Sequence, residues 1–182
     1  EVVKPYGVQI LEPQVDDEDV GKVSMLASQL IAAHPDIGAI YCVYGGYEVG
    51  PVASVLRESG LVGKVLHIGF DDMPEEIYAM LRGEVDILIA QNAFAQGYYA
   101  VWFAYKALVD GVDSLKEFIQ NFPENTIYDT GHIVIVPPGN TKLKELVKKY
   151  VGDLAPVMTL DEYAKWLDEN GIPREWKLPS ES

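Results

Sequence analysis

Four times between Gly7 and Asp110 a short, unbroken apolar run gives way to apolar residues at helical spacing, and no other feature restricts the fold as much. The runs are Gly7–Leu11, Ile37–Tyr44, Lys64–Phe70 and Asp86–Gln91. The segments between and after them cover Asp17 to about His34, Tyr47–Glu58, Met73–Arg82 and Ala93 to about Asp110. A run that is continuously apolar rather than alternating belongs to a strand buried on both faces. Strands of that kind separated by helices predict a parallel sheet with helices on both sides, an α/β fold.

Local chemistry marks the boundaries. Acidic residues Asp17-Glu18-Asp19 open the first helix, where carboxylates suit the positive end of the macrodipole, and His34-Pro35-Asp36 closes it. Gly60, Gly83 and Gly111 stand where helices end. Beyond Gly111 the pattern weakens to a short helix over Ser114–Gln120, a strand over His132–Val136, and helices over Thr141–Tyr150 and Leu160–Asn170, the last stopped by Gly171. The helix at Ala93–Val109 is the most apolar, but Gln96, Gly97 and Lys106 interrupt it. It reads as a buried helix and not as a membrane span.

Composition removes whole classes of partner. The formal charge of −14 makes nucleic acid and anionic membranes poor partners, because favourable contact with phosphates needs clustered Lys and Arg. The single cysteine, Cys42, permits no intramolecular disulfide and sits in an apolar run, as a small core residue does. His34, His67 and His132 lie far apart without the spacing of a zinc site, and His67 reads as a core histidine. There is no nucleophile elbow, phosphate loop or dinucleotide fingerprint, so no cofactor is expected.

Open parallel sheets bind ligands at the carboxyl ends of their strands. Those ends carry Gln14 and Asp16, then Tyr44, then Asp71 and Asp72, then Gln91 and Asn92. Carboxylates accept from two hydroxyls at once, and amides both donate and accept. Tyr44, with Tyr47 just beyond it, can offer an aromatic face to the C–H side of a sugar ring. The candidate ligand-binding set is therefore Asp71, Gln91, Tyr44, Gln14 and Tyr47. Each has a plainer alternative: Asp71 or Asp72 as helix cap, with Asp72 and Glu75 at capping-box spacing, Asn92 as a cap, and the tyrosines as packing.

Several segments together resemble the ribose- and glucose-binding type of periplasmic sugar-binding protein. They are Ala32-Ala33-His34-Pro35-Asp36-Ile37, Tyr41–Gly50, Gly63-Lys64-Val65 leading to Gly69-Phe70-Asp71, and Ile89-Ala90-Gln91 leading to Gln96-Gly97. Their order and spacing match from about Gln9 to Pro137, and Asp129-Thr130-Gly131 is similar to glucose- or xylose-binding members. The resemblance implies two α/β lobes that close on a sugar and present it to an ABC permease. It implies that Asp71, after Gly-Phe, and Gln91, near the hinge, bind sugar hydroxyls. Tyr44 and Gly45 depart from the ribose-type asparagine and aspartate, and the acidic Asp16–Glu18 replaces a stacking aromatic, which points away from ribose toward another monosaccharide or polyol.

The resemblance also implies an amino-terminal lobe upstream, a periplasmic or extracellular location, and a lipid anchor through the absent amino terminus. The chain starts at Glu1 without a signal segment, so it is expected to be a piece of a longer protein or a processed one. On this reading residues 1–92 form the sugar-binding carboxy-terminal lobe, 93–130 the helix and crossover that pack on the absent lobe, and 131–182 the returning strand and helical tail. The partner is the missing lobe or a second copy in a homodimer. The effector domain of a sugar-responsive repressor is the alternative, and an α/β enzyme a weaker one, since no nucleophile, base or metal set is visible.

Overall fold

A computed structural model describes residues 7–116 and 129–181. Five strands form one sheet in the order β1-β2-β3-β4-β5, with β1 Ala39–Tyr41, β2 Leu66–Phe70, β3 Ile87–Gln91, β4 His132–Val136 and β5 Val157–Thr159. The first three are parallel, as the alternation requires. β4 runs antiparallel to β3, with Gln91 opposite His132, and β5 runs parallel to β4. The fold is thus α/β with a mostly parallel sheet. β5, the three residues immediately following Pro156, is an element the sequence reading misses.

The helices are α1 Val20–Ala33, α2 Gly50–Glu58, α3 Pro74–Leu81, α4 Ala93–Val109, α5 Thr141–Val151 and α6 Leu160–Glu169. Their ends follow the chemistry. Asp19 caps α1 by accepting from the Lys22 N–H, Asn92 caps α4 from Ala95, and Thr159 with Glu162 forms a reciprocal capping box on α6. Gly83 and Gly111 take the left-handed conformation just past α3 and α4. Of the helix expected over Ser114–Gln120, residues 117–120 lie outside the described residues, and Val112–Leu115 forms a 3-10 turn.

Both faces of the sheet are covered, and β4 records this residue by residue. Ile135 joins the main core with Leu56, Ile77, Leu88, Leu160 and Trp176, while its neighbours Val134 and Val136 join a second cluster under α5 with Leu143 and Val147. Cys42 and His67 are buried as expected, at 2% and 0% exposure. His67 Nδ1 meets the Glu84 carbonyl at 2.9 Å and Nε2 the Cys42 sulfur at 3.5 Å. Burial pushes the His67 pKa down, so the ring is neutral in the core.

Two expectations fail. Gly7–Leu11 is not a strand: the segment is irregular, with Val8 and Ile10 exposed, because none of the described strands pairs with it. Nor is α4 buried. None of its residues falls in the core, and Phe94, Tyr98, Val101, Tyr105 and Leu108 lie exposed at alternating spacings of four and three. Among the described residues the helix packs chiefly on the 3-10 turn that follows it, which leaves this apolar stripe largely uncovered. No helix of the described residues is long and apolar enough to cross a membrane.

Candidate functional site

The carboxyl ends of β1, β2 and β3 lie side by side, and the residues leaving them form a polar shelf. After β2 the backbone turns at Asp71 through a left-handed conformation, φ 71°, which a non-glycine residue adopts only when its surroundings hold it there. The Asp71 N–H donates to the Ile89 carbonyl at 2.9 Å, extending the sheet by one bond. This swings the carboxylate toward β3, where Gln91 Nε2 donates to Asp71 Oδ1 at 2.5 Å. Asp71 and Gln91, twenty residues apart, are thus brought into direct contact.

The chain leaving β1 winds into one π-helical turn, Gly45–Val49, that runs straight into α2. Such turns widen the backbone spiral and recur at functional sites. Glu48 closes this one by accepting from the Tyr44 N–H at 3.1 Å. Tyr44 and Tyr47 consequently lie on one side of the turn with rings stacked, centroids 5.3 Å apart and planes 18° from parallel. Both are exposed and together present an aromatic surface on the turn that leaves β1, the strand next to β2. Burial is the first cause of the raised Glu48 pKa, and nearby Asp16 adds to it against the hydrogen bonds from Tyr44 and Val43.

Gly45 makes this juxtaposition possible. A Cβ at Gly45 would stand 2.3 Å from the Phe70 carbonyl oxygen, 2.8 Å from Glu76 Oε1 and 2.9 Å from Asp71 Cβ. The π-turn therefore lies directly against the Asp71 corner, with Glu76 beneath. Glu76 is buried, at 1% exposure, and accepts from the Met73 N–H. Burial raises its pKa to about 7; the Met73 hydrogen bond opposes this, and Asp71, Asp72 and Glu75 add to it.

Asp72 is not the helix cap that its spacing to Glu75 suggests. Met73 is the cap residue of α3, and the reciprocal bond comes from Glu76. Asp72 turns the other way and accepts from the Tyr163 hydroxyl of α6 at 2.8 Å. Burial raises the pKa of Asp72 and of Tyr163, the latter further because its partner is an anion. A cavity of about 360 Å³ opens beside this pair, walled by Gln91, Phe94, His132, Met158 and Trp166. Asn92 serves as the α4 cap, its plainer reading. Gln14 donates to the Glu12 carbonyl, and among the described residues no hydrogen bond joins it to the other four candidates.

The shelf suits a neutral ligand with adjacent hydroxyls. Among the described residues Asp71 keeps its second oxygen, and Gln91 one N–H, outside these hydrogen bonds, so the pair offers an acceptor and a donor side by side, with the stacked tyrosines on the neighbouring turn. Glu76 and Tyr163 enter the site without having been singled out in the sequence. For Glu76 a signal was present, because Pro74 at the first helical position marks Met73, and not Asp72, as the cap.

Comparison with known proteins shows the family and the fold. The family model described as periplasmic binding protein domain matches residues 1–111. The D-allose-binding periplasmic protein of Escherichia coli (strain K12) is 32% identical over 89 residues, 49% of this chain and 28% of that protein. The xylose/arabinose-binding protein of Sulfolobus acidocaldarius is 29% identical over 101 residues, 49% of this chain and 25% of that protein. An ABC transporter solute-binding protein from Burkholderia graminis C4D1M, solved in complex with D-arabinose, superposes with a TM-score of 0.54 at 26% identity, over 74% of this chain and 44% of that one. The chain spans about a quarter of the length of the curated relatives it matches.

Proposed function

The chain belongs to the periplasmic binding protein family, and from that premise we propose that it supplies about half of the sugar site of an ABC importer's solute-binding component. The ligand is a monosaccharide or related polyol, and the chain has no catalytic role. The observation that carries this reading is the contact between Asp71 and Gln91 at adjacent strand ends, flanked by the stacked Tyr44 and Tyr47. It is a hydroxyl-reading pair beside a surface that can take the C–H face of a sugar ring. The relatives named for D-allose, for xylose and arabinose, and the one solved with D-arabinose support the class of ligand.

The same reading assigns roles along the chain. Residues 1–92 would be the sugar-binding lobe, 93–130 the helix and crossover toward a second lobe, and 131–182 the returning strand and tail. The exposed stripe of α4, from Phe94 to Leu108, would be covered by that second lobe or, in the isolated chain, by another copy. The permease, the periplasmic or extracellular location and an amino-terminal lipid anchor belong to the same proposal.

The test is calorimetry on the full-length parent protein with D-allose, D-xylose and D-arabinose, followed by Asp71→Ala and Gln91→Ala. Each substitution is expected to cost about 1–3 kcal/mol of affinity, the worth of a buried polar contact left unpaired, with folding intact. A wild-type protein that binds none of these sugars, or two variants with unchanged affinity, would refute the assignment.

A further inference from the structure

Asp71 and Gln91 can read hydroxyls only if the Gln91 amide is held the right way round. A glutamine side chain presents either its oxygen or its nitrogen, and with the oxygen toward Asp71 two acceptors would face each other. Something must fix the choice, and both residues lie at the surface where water competes. Gln96 Nε2 donates to Gln91 Oε1 at 3.1 Å, so the oxygen end is engaged and Nε2 faces Asp71. We infer that Gln96 is a positioning residue for the sugar site, ordering the Gln91 amide and tying the Asp71 carboxylate to the first turn of α4. The inference rests on the sugar-binding reading for its purpose, though not for the contact itself.

The local fold explains why residue 96 can do this. One residue, Asn92, separates β3 from α4, and it caps the helix through Ala95. The Gln96 N–H donates to the Asn92 carbonyl at 3.0 Å, so its side chain starts from a fixed helical turn beside the end of β3. On the other side, Asp71 is held through its left-handed backbone and its bond to Ile89. Only the side-chain torsions between these two fixed points remain free, and the three-residue chain Asp71–Gln91–Gln96 takes them up. A shift of α4 relative to the sheet would therefore be felt at Asp71 through two hydrogen bonds.

Gln96→Ala removes the link, and Gln96→Glu replaces the donor with a group that donates only when protonated. Two measurements decide the matter. The first follows the Gln91 side-chain amide by NMR in the ligand-free protein, its signal assigned by loss in Gln91→Ala. The second is affinity for whichever of D-allose, D-xylose and D-arabinose the full-length protein binds. Gln96→Ala is expected to shift the Gln91 amide signal and to weaken binding about three- to tenfold at every pH. Gln96→Glu should weaken binding at least as much at pH 7.5, and recover toward wild type as the pH falls toward about 4.3, where the introduced carboxyl gains its proton. Affinities are read as the ratio to wild type at the same pH, so that the neighbouring ionisable groups Asp71 and His132 cancel. A purely structural role for Gln96 would not reverse with acid. An unmoved Gln91 signal in Gln96→Ala, or wild-type affinity of Gln96→Glu at pH 7.5, overturns the inference. If wild type binds no sugar the functional reading fails, while the amide signal still decides the link.

Discussion

Replacing Glu76 with glutamine should flatten part of the pH dependence of stability. The side chain is 1% exposed, has no basic partner among the described residues, and accepts a hydrogen bond from the Met73 N–H. Moving a carboxyl from 4.5 to about 7 places about 3 kcal/mol between its protonation states, at roughly 1.36 kcal/mol per pH unit. The sign follows from proton binding. Between those values the folded protein holds a proton that the unfolded chain has lost, so stability falls as the pH rises through this window. Glu76→Gln keeps an oxygen for the Met73 N–H and cannot ionise. Wild type and variant should therefore be close at pH 4.5, and the variant more stable by up to about 3 kcal/mol at pH 8.5. The assay is urea denaturation at pH intervals, comparing midpoints at equal slope. Glu48 and Asp72 also carry raised pKa values and incline the curve the same way, so the difference between the two proteins is the quantity to read. Parallel curves, or a variant less stable at pH 8.5, would refute the view that Glu76 is buried without charge compensation.

Gly45→Ala would push a methyl into the Phe70 carbonyl and the Asp71 corner. It should cost about 1–3 kcal/mol or more of stability, seen in the urea midpoint, and weaken any sugar bound by the parent protein. Tyr163→Phe leaves the Asp72 carboxylate without its hydroxyl donor. It should destabilise by about 1–3 kcal/mol at neutral pH and by less in acid, where Asp72 is protonated, as pH-resolved denaturation would register.

What was legible in the sequence is what local patterns encode. The strand–helix alternation fixes which segments pair in parallel, and the strand ends name Asp71 and Gln91, because side chains at those ends can only face the same edge of the sheet. Strand direction is not a local property: His132–Val136 reads as a strand, but its antiparallel run beside β3 depends on the path taken after α4. Val157–Thr159 is too short to carry a period and becomes a strand through pairing with β4. The α3 cap was ambiguous by one residue, since Asp72/Glu75 and Met73/Glu76 have the same spacing, and Pro74 resolves it. The contact from Tyr163 to Asp72 spans 91 residues and leaves no sequence signature. The burial expected of α4 failed because apolar content marks a surface that needs covering, and says nothing about which element covers it.

The strand-end face gathers five carboxylates, and the kind of donor each one accepts from sets Asp71 apart from the other four. Asp16 is held by the Glu18 N–H, Glu48 by the Tyr44 N–H and Glu76 by the Met73 N–H, all main-chain donors fixed by the fold. Asp72 is held by the hydroxyl of Tyr163, itself 3% exposed and packed in the core. Exchanging any of these donors for a ligand hydroxyl would strand a backbone N–H or a buried phenol, at a cost of about 1–3 kcal/mol. Asp71 alone takes its bond from an exposed side chain, Gln91, which Gln96 orders in turn. That donor can shift to share the carboxylate with an incoming hydroxyl and bond the ligand itself. On the proposed sugar-binding reading, the acid best suited to binding is marked less by its own exposure than by having a side-chain donor that can also reach the ligand.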